Sequence, residues 1–165
     1  MRHLPLSAFI GLMVIGCVLE IVWNPKPLLV WNVTASAPIG LYRRSFLTVE
    51  RAAWVLITPP RPAHILAAQR GYLPLNVPMV KRIAALSGDT VCRTNSTVTV
   101  NGTVRAIALS RDSRGRELPV WQGCERLTDN QTFVLTAPSA SFDSRYFGVV
   151  PRANIIERIE PLWTF

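Results

Sequence analysis

Thr90-Val-Cys-Arg-Thr-Asn-Ser-Thr-Val-Thr-Val100, then Asn101-Gly102, then Thr103-Val-Arg-Ala-Ile-Ala-Leu109 is the stretch on which the fold class turns. Apolar and polar residues alternate through Val91, Arg93, Val98 and Val100, the period of a half-buried strand. Asn-Gly between two such runs favours a two-residue hairpin turn, because both residues tolerate positive φ. Working outward, Met79 to Leu86 is an apolar run around Lys81, closed by the turn Ser87-Gly-Asp89. Leu47 to Ile57, Thr132 to Thr136, Arg145 to Val150 and Ile155 to Ile159 are further strand candidates. Ala63 to Arg70 reads as a short helix ended by Gly71, and charged Ser110 to Leu118 as an exposed loop. The 13 prolines fall mostly between these runs. The fold class is mainly β and antiparallel, with one or two short helices.

At 165 residues the chain suits one domain with a short appendage. Lys and Arg number 18 against 10 Asp and Glu, a net charge of +8. They are scattered as singles and pairs (Arg43-Arg44, Lys81-Arg82), without a basic helix or interleaved aromatics, so no nucleic-acid partner is expected. A basic body lying against anionic lipid headgroups accounts for the same charge. Of the three cysteines, Cys17 lies in an apolar segment. Cys92 and Cys124 either close a loop of about 30 residues in an oxidising space or remain separate core thiols. With only His3 and His64 and no Cys-x-x-Cys, no metal site or cofactor is expected. Four Asn-x-Thr sequons begin at Asn32, Asn95, Asn101 and Asn130, and read as ordinary turn and strand-edge chemistry.

Leu6 to Trp23 is almost wholly apolar, about 18 residues or roughly 27 Å of helix, enough to cross a bilayer core. Glu20 falls near its far end, where a carboxylate reaches water. Trp23 and Trp31 bracket Pro25 and Pro27 as interfacial anchors, and Arg2 favours a cytoplasmic N-terminus. The expected organisation is a cytoplasmic stub over 1–5, a single-pass anchor over 6–23 in a bacterial inner membrane, and a periplasmic domain over 24–165. A cleaved signal peptide lacks its small-x-small site after the apolar core. Val14-Ile-Gly-Cys17 resembles a lipobox, but the apolar run continues beyond it.

Just past the membrane exit stands Asn32-Val-Thr-Ala-Ser-Ala-Pro-Ile-Gly-Leu-Tyr42, with Ser36 two residues ahead of a proline. A serine hydroxyl needs a base. His64 lies in a helix far in sequence from the polar clusters, so a Ser-His-Asp triad is not expected. Lysine can serve when burial lowers its pKa, and Lys81 has apolar neighbours on both sides. By local pattern alone, Lys81 also reads as an ordinary strand lysine, Ser36 as an inert turn serine, and Asp143 with Arg145 as a structural ion pair.

Three blocks in this order resemble the signal peptidase superfamily, and within it the TraF-type peptidases of conjugative transfer. Asn32 to Tyr42 is similar to the nucleophile block, with the serine-to-proline spacing of that branch and no methionine after the serine. Val80-Lys-Arg-Ile-Ala-Ala-Leu-Ser-Gly-Asp89 is similar to the lysine block, with Ala85 and Ser87 in place of a glycine and a proline. Ser141-Phe-Asp-Ser-Arg-Tyr-Phe-Gly148 is the most specific match. The resemblance implies a barrel-like signal-peptidase catalytic domain behind a transmembrane helix, with Ser36 as nucleophile and Lys81 as general base. It further implies that Ser141 orients the lysine, that Thr34 and the Ser36 N–H form an oxyanion hole, and that Asp143, important for activity, pairs with Arg145. The implied substrate is the pilin precursor of a conjugation apparatus, released by hydrolysis or by cyclisation. A general leader peptidase and a non-catalytic envelope component of a conjugation channel are the competing readings.

Overall fold

The structure, a computed structural model, describes residues 28–165 together with the helical positions Ile10, Gly11, Met13 and Gly16. The expected anchor over 6–23 and the alternative lipid on Cys17 therefore lie, for the most part, outside the described residues. Among those described, no helix is long and apolar enough to cross a membrane.

Among the described residues, eleven strands form two antiparallel sheets. They are β1 (Leu29–Asn32), β2 (Gly40–Ser45), β3 (Trp54–Ile57), β4 (Met79–Ala85), β5 (Thr90–Thr94), β6 (Thr97–Val100), β7 (Thr103–Ile107), β8 (Gly123–Arg126), β9 (Gln131–Leu135), β10 (Val150–Pro151) and β11 (Ile155–Thr164). The larger sheet has the order β1-β2-β11-β3-β4-β9-β10, and the smaller the order β7-β6-β5-β8. Helix α1 (Arg61–Gln69) bridges β3 and β4, and the one-turn α2 (Ser144–Phe147) follows β9. One core cluster joins Val55, Ile57, Met79, Ile83 and Val134 to Ala63 and Ala67 of α1 and to Phe142 and Tyr146. A second, with Val91, Val98, Val100, Leu127 and Phe133, packs the small sheet onto β4 and β9.

The antiparallel β class holds, and several local expectations change. Thr90 to Val100 is two strands, because Asn95 takes φ 56° and turns the chain into a second hairpin ahead of the one at Asn101-Gly102. Alternation survives because the turn preserves the pleat. The strand expected over Leu47 to Ile57 shrinks to Trp54–Ile57: Phe46 and Leu47 are exposed, and Ala52 adopts φ 67° in a turn. Arg145 to Val150 is not a strand. Asp143 caps α2 by accepting the Arg145 N–H, Gly148 leaves the helix at φ 72°, and only Val150 and Pro151 pair with β9. β11 outruns its expected length, continuing through a register shift between Pro161 and Trp163. A disulfide joins Cys92 to Cys124 across β5 and β8.

β2 meets the end of β11 at Gly40, which pairs with Thr164. The φ of Gly40 is 145°, and a Cβ there would collide with the Trp163 carbonyl oxygen. Only glycine lets the strand leaving the serine loop pair with β11 at that point.

Candidate active site

Ser36 sits in the turn between β1 and β2, and the buried Asn32 side chain ties that turn together. Its Nδ2 donates to the carbonyls of Thr34, Ala37 and Pro38 at 3.0, 3.2 and 3.0 Å. Its Oδ1 accepts the Thr34 N–H at 3.2 Å and the Thr34 hydroxyl at 2.9 Å. The sequon reading as turn chemistry holds here, since Asn32 is spent on its own loop. Tyr42 Oη adds a bond to the Pro38 carbonyl at 2.7 Å. Thr34 has one proton and gives it to Asn32, so in its 3.1 Å contact with Ser36 Oγ it must be the acceptor. The resting Ser36 proton therefore points at Thr34. No acceptor among the described residues takes the Ser36 N–H.

Lys81 is in the middle of β4, flanked by β3 and β9, on the face that Met79 and Ile83 bury. It is 2% exposed, while its neighbour Arg82 turns to the opposite, solvated face. The solvated-strand reading of Lys81 is set aside by this burial. Its Nζ donates to Ser141 Oγ at 2.8 Å. Burial draws the amine down from 10.5 to about 8, opposed by the Asp143 carboxylate and reinforced by the Arg145 guanidinium.

Asp143 and Arg145 form a fully buried pair. Arg145 Nε donates to Oδ1 at 2.8 Å, and its Nη2 to Oδ2 at 3.0 Å. The same guanidinium holds the carbonyls of Thr136 at 2.5 Å and Ser139 at 3.1 Å, so it staples the loop after β9. The small sheet and the loop before β8 reach in as well: buried Arg93 of β5 donates to the Arg145 carbonyl at 2.6 Å, and Trp121 Nε1, in that loop, to the carbonyl of Ser144 at 3.0 Å.

Ser36, Thr34, Lys81 and Ser141 line one cavity of about 380 Å³, with walls that include Leu56, Met79 and Phe142. Asp143 and Arg145 stand behind Ser141, and His64 does not line the cavity. No hydrogen bond joins Ser36 Oγ to Lys81 Nζ among the described residues. Asp112, in the expected exposed loop, faces the same cavity and is knotted by Tyr72 Oη at 2.5 Å and Arg116 Nε at 2.7 Å. Sequence reading gives no role to Thr136, Asn32 or Arg93. Asn32 is signalled only by its place at the head of the serine block, and Thr136 and Arg93 carry no signal beyond the strand pattern.

The family model described as signal peptidase, peptidase S26, matches residues 1–163. The chain belongs to this family. The plasmid transfer protein TraF of Escherichia coli is 35% identical over 145 residues, covering 81% of this chain and 82% of its own. A probable conjugal transfer protein TraF of Sinorhizobium fredii is 33% identical, covering 81% and 76%. A signal peptidase I from Enterococcus faecalis aligns in structure over 69% of this chain and 98% of its own, at 22% identity and a TM-score of 0.41.

Proposed function

We propose that the chain is a membrane-anchored serine endopeptidase with a Ser36–Lys81 dyad that matures the pilin precursor of a conjugation apparatus. The observation that carries this reading is the buried Lys81 amine, held by Ser141 and opening on the cavity that Ser36 also lines. In the reaction, Ser36 Oγ attacks the scissile carbonyl while its proton passes to neutral Lys81. The resulting ammonium returns that proton to the leaving amine as the C–N bond breaks. Water, or the pilin's own amino terminus, then resolves the acyl-enzyme.

The free Ser36 N–H is the principal oxyanion donor. Thr34 joins it only by releasing Asn32, and losing one such donor typically costs about 100-fold or more in rate. The conjugation setting rests on the names of the related transfer proteins. A membrane-proximal site is supported by an exposed aromatic ridge beside the serine loop. Trp163 and Phe165 pack at 5.1 Å between ring centres and Trp31 joins them, near where the chain enters at Leu28.

Substitution tests the dyad. Ser36→Ala and Lys81→Ala are expected to abolish processing of precursor in a membrane assay while the protein stays folded. His64→Ala should leave it intact. Equal damage from His64→Ala and Lys81→Ala would sink the dyad, and full processing by Ser36→Ala would favour a non-catalytic envelope component.

A further inference from the structure

The hydroxyl of Thr136 lies between two groups on which the proposed chemistry depends. Its Oγ1 is 2.6 Å from Ser141 Oγ and 3.3 Å from Asp143 Oδ2, and the residue is buried. Ser141 Oγ in turn accepts from Lys81 Nζ at 2.8 Å. The amine, two hydroxyls and a carboxylate thus form one continuous chain, ended by the Asp143–Arg145 pair. The backbone of Thr136 is engaged separately: its N–H goes to Asp143 Oδ2 at 3.1 Å and its carbonyl to Arg145 Nη2 at 2.5 Å. Structural support of the loop therefore comes through the main chain. The side-chain hydroxyl has a different task.

That task follows from proton counting. Lys81 can take the Ser36 proton only if its lone pair is free, so Ser141 must accept from the amine and not donate to it. A serine hydroxyl alone in an apolar pocket rotates to either arrangement. Thr136 has one proton, and Asp143 Oδ2, which can only accept, takes it; across the 2.6 Å contact Thr136 Oγ1 then accepts the Ser141 proton, which leaves Ser141 only lone pairs for the amine. We propose that Thr136 is a positioning residue, whose hydroxyl fixes Ser141 as an acceptor for Lys81 and ties that acceptor to the Asp143 carboxylate. This inference rests on the dyad reading above. The charged groups that act on Lys81 are Asp143 and Arg145; Asp112, Tyr72 and Tyr146 line the same cavity, and neither strand beside the lysine, β3 or β9, carries a titratable side chain.

The test uses the full chain in detergent micelles and a peptide spanning a precursor cleavage site. Thr136→Val keeps the shape and both backbone bonds, and removes only the hydroxyl. It is expected to lower kcat about tenfold, the size of one lost hydrogen bond, with KM little changed. The Lys81 titration, followed by the ¹³Cε shift, should move to lower pH as the freed Ser141 proton turns to the amine. Thr136→Ser should restore both. In a Ser141→Ala background, Thr136→Val should move the titration no further, because it acts through Ser141. An unchanged kcat and titration in Thr136→Val would overturn the proposal, as would a Thr136→Ser as impaired as Thr136→Val. If Thr136→Val does not fold, Thr136→Ala takes its place, with the same expected loss of kcat and shift in titration and the same overturning result. If wild type and Ser36→Ala behave alike toward the peptide, the dyad reading fails instead, while the titration still reports on Thr136.

Discussion

Lys81 shows how one residue can oppose stability and still be retained. Asp143 and Arg145 neutralise each other with two charge-assisted bonds, so a Lys81 ammonium has no carboxylate of its own. Its pKa in the fold, about 8, lies below the ordinary 10.5, so the native state binds protons less well than the unfolded chain across that window. The destabilisation is full below about pH 8 and fades as pH rises toward 10.5. Lys81→Met should therefore melt at a higher temperature at pH 7, by about 1–3 kcal/mol of stability, and lose processing altogether. The difference from wild type should shrink in melts taken at rising pH. A Lys81→Met protein less stable than wild type at pH 7 would show that the ammonium is better compensated than this geometry allows. The same titration governs rate: the neutral amine is the base, so kcat should climb through about pH 8 on its acidic limb.

At the level of elements, the serine loop is held by the strands on either side of it, β1 and β2, and β2 is fixed by β11. Gly40 is the weak point of that arrangement. Gly40→Ala forces a Cβ into the Trp163 carbonyl and a side chain into φ 145°, and should cost roughly 2–4 kcal/mol together with most activity. Gly102→Ala, at φ 76° in open space, meets only backbone strain and should cost about 1 kcal/mol with activity kept. Thermal melts and processing rates of the two variants check this contrast. Gly40 also marks where sequence reading stops. The hairpins around Thr90 to Leu109 were legible because turn chemistry and alternation are local. β1, β2 and β8 were not: β1 and β8 are four-residue strands with no sustained alternation, β1 pairs only with the short β2, and β2 and β8 owe their pairing to partners far along the chain. The same division holds at the site. Ser36, Lys81, Ser141 and Asp143 stood out by block, whereas Thr136 and Arg93 matter only through contacts that folding creates. Arg145 to Val150 misled because its apolar residues suit a strand while the Asp143 cap closes a helix turn.

Across the whole molecule, the two sheets divide the work. The larger carries Lys81 and the serine loop, while the smaller buttresses the Asp143 loop through Arg93, joined by Trp121 from the loop leading into β8. The Cys92–Cys124 disulfide fastens β8 to β5, beside Arg93, and spans 32 residues. Closing a loop of that size stabilises by about 2–4 kcal/mol, and such bonds persist in oxidising spaces. The aromatic ridge of Trp31, Trp163 and Phe165 sits close to where the chain arrives from the apolar 6–23 segment. We propose that the domain lies on the outer face of the inner membrane, its cleft turned to segments emerging from the bilayer; bond and ridge support that placement. A reporter fused after Phe165 should then be active only in its periplasmic form. In cells, Cys92 and Cys124 should resist alkylation until a reductant is added. Protease given to spheroplasts should degrade the β domain and leave a small protected N-terminal fragment. If degradation required breaking the inner membrane, with both thiols freely alkylated beforehand, the domain would face the cytoplasm. A periplasmic pilin precursor could then not be its substrate.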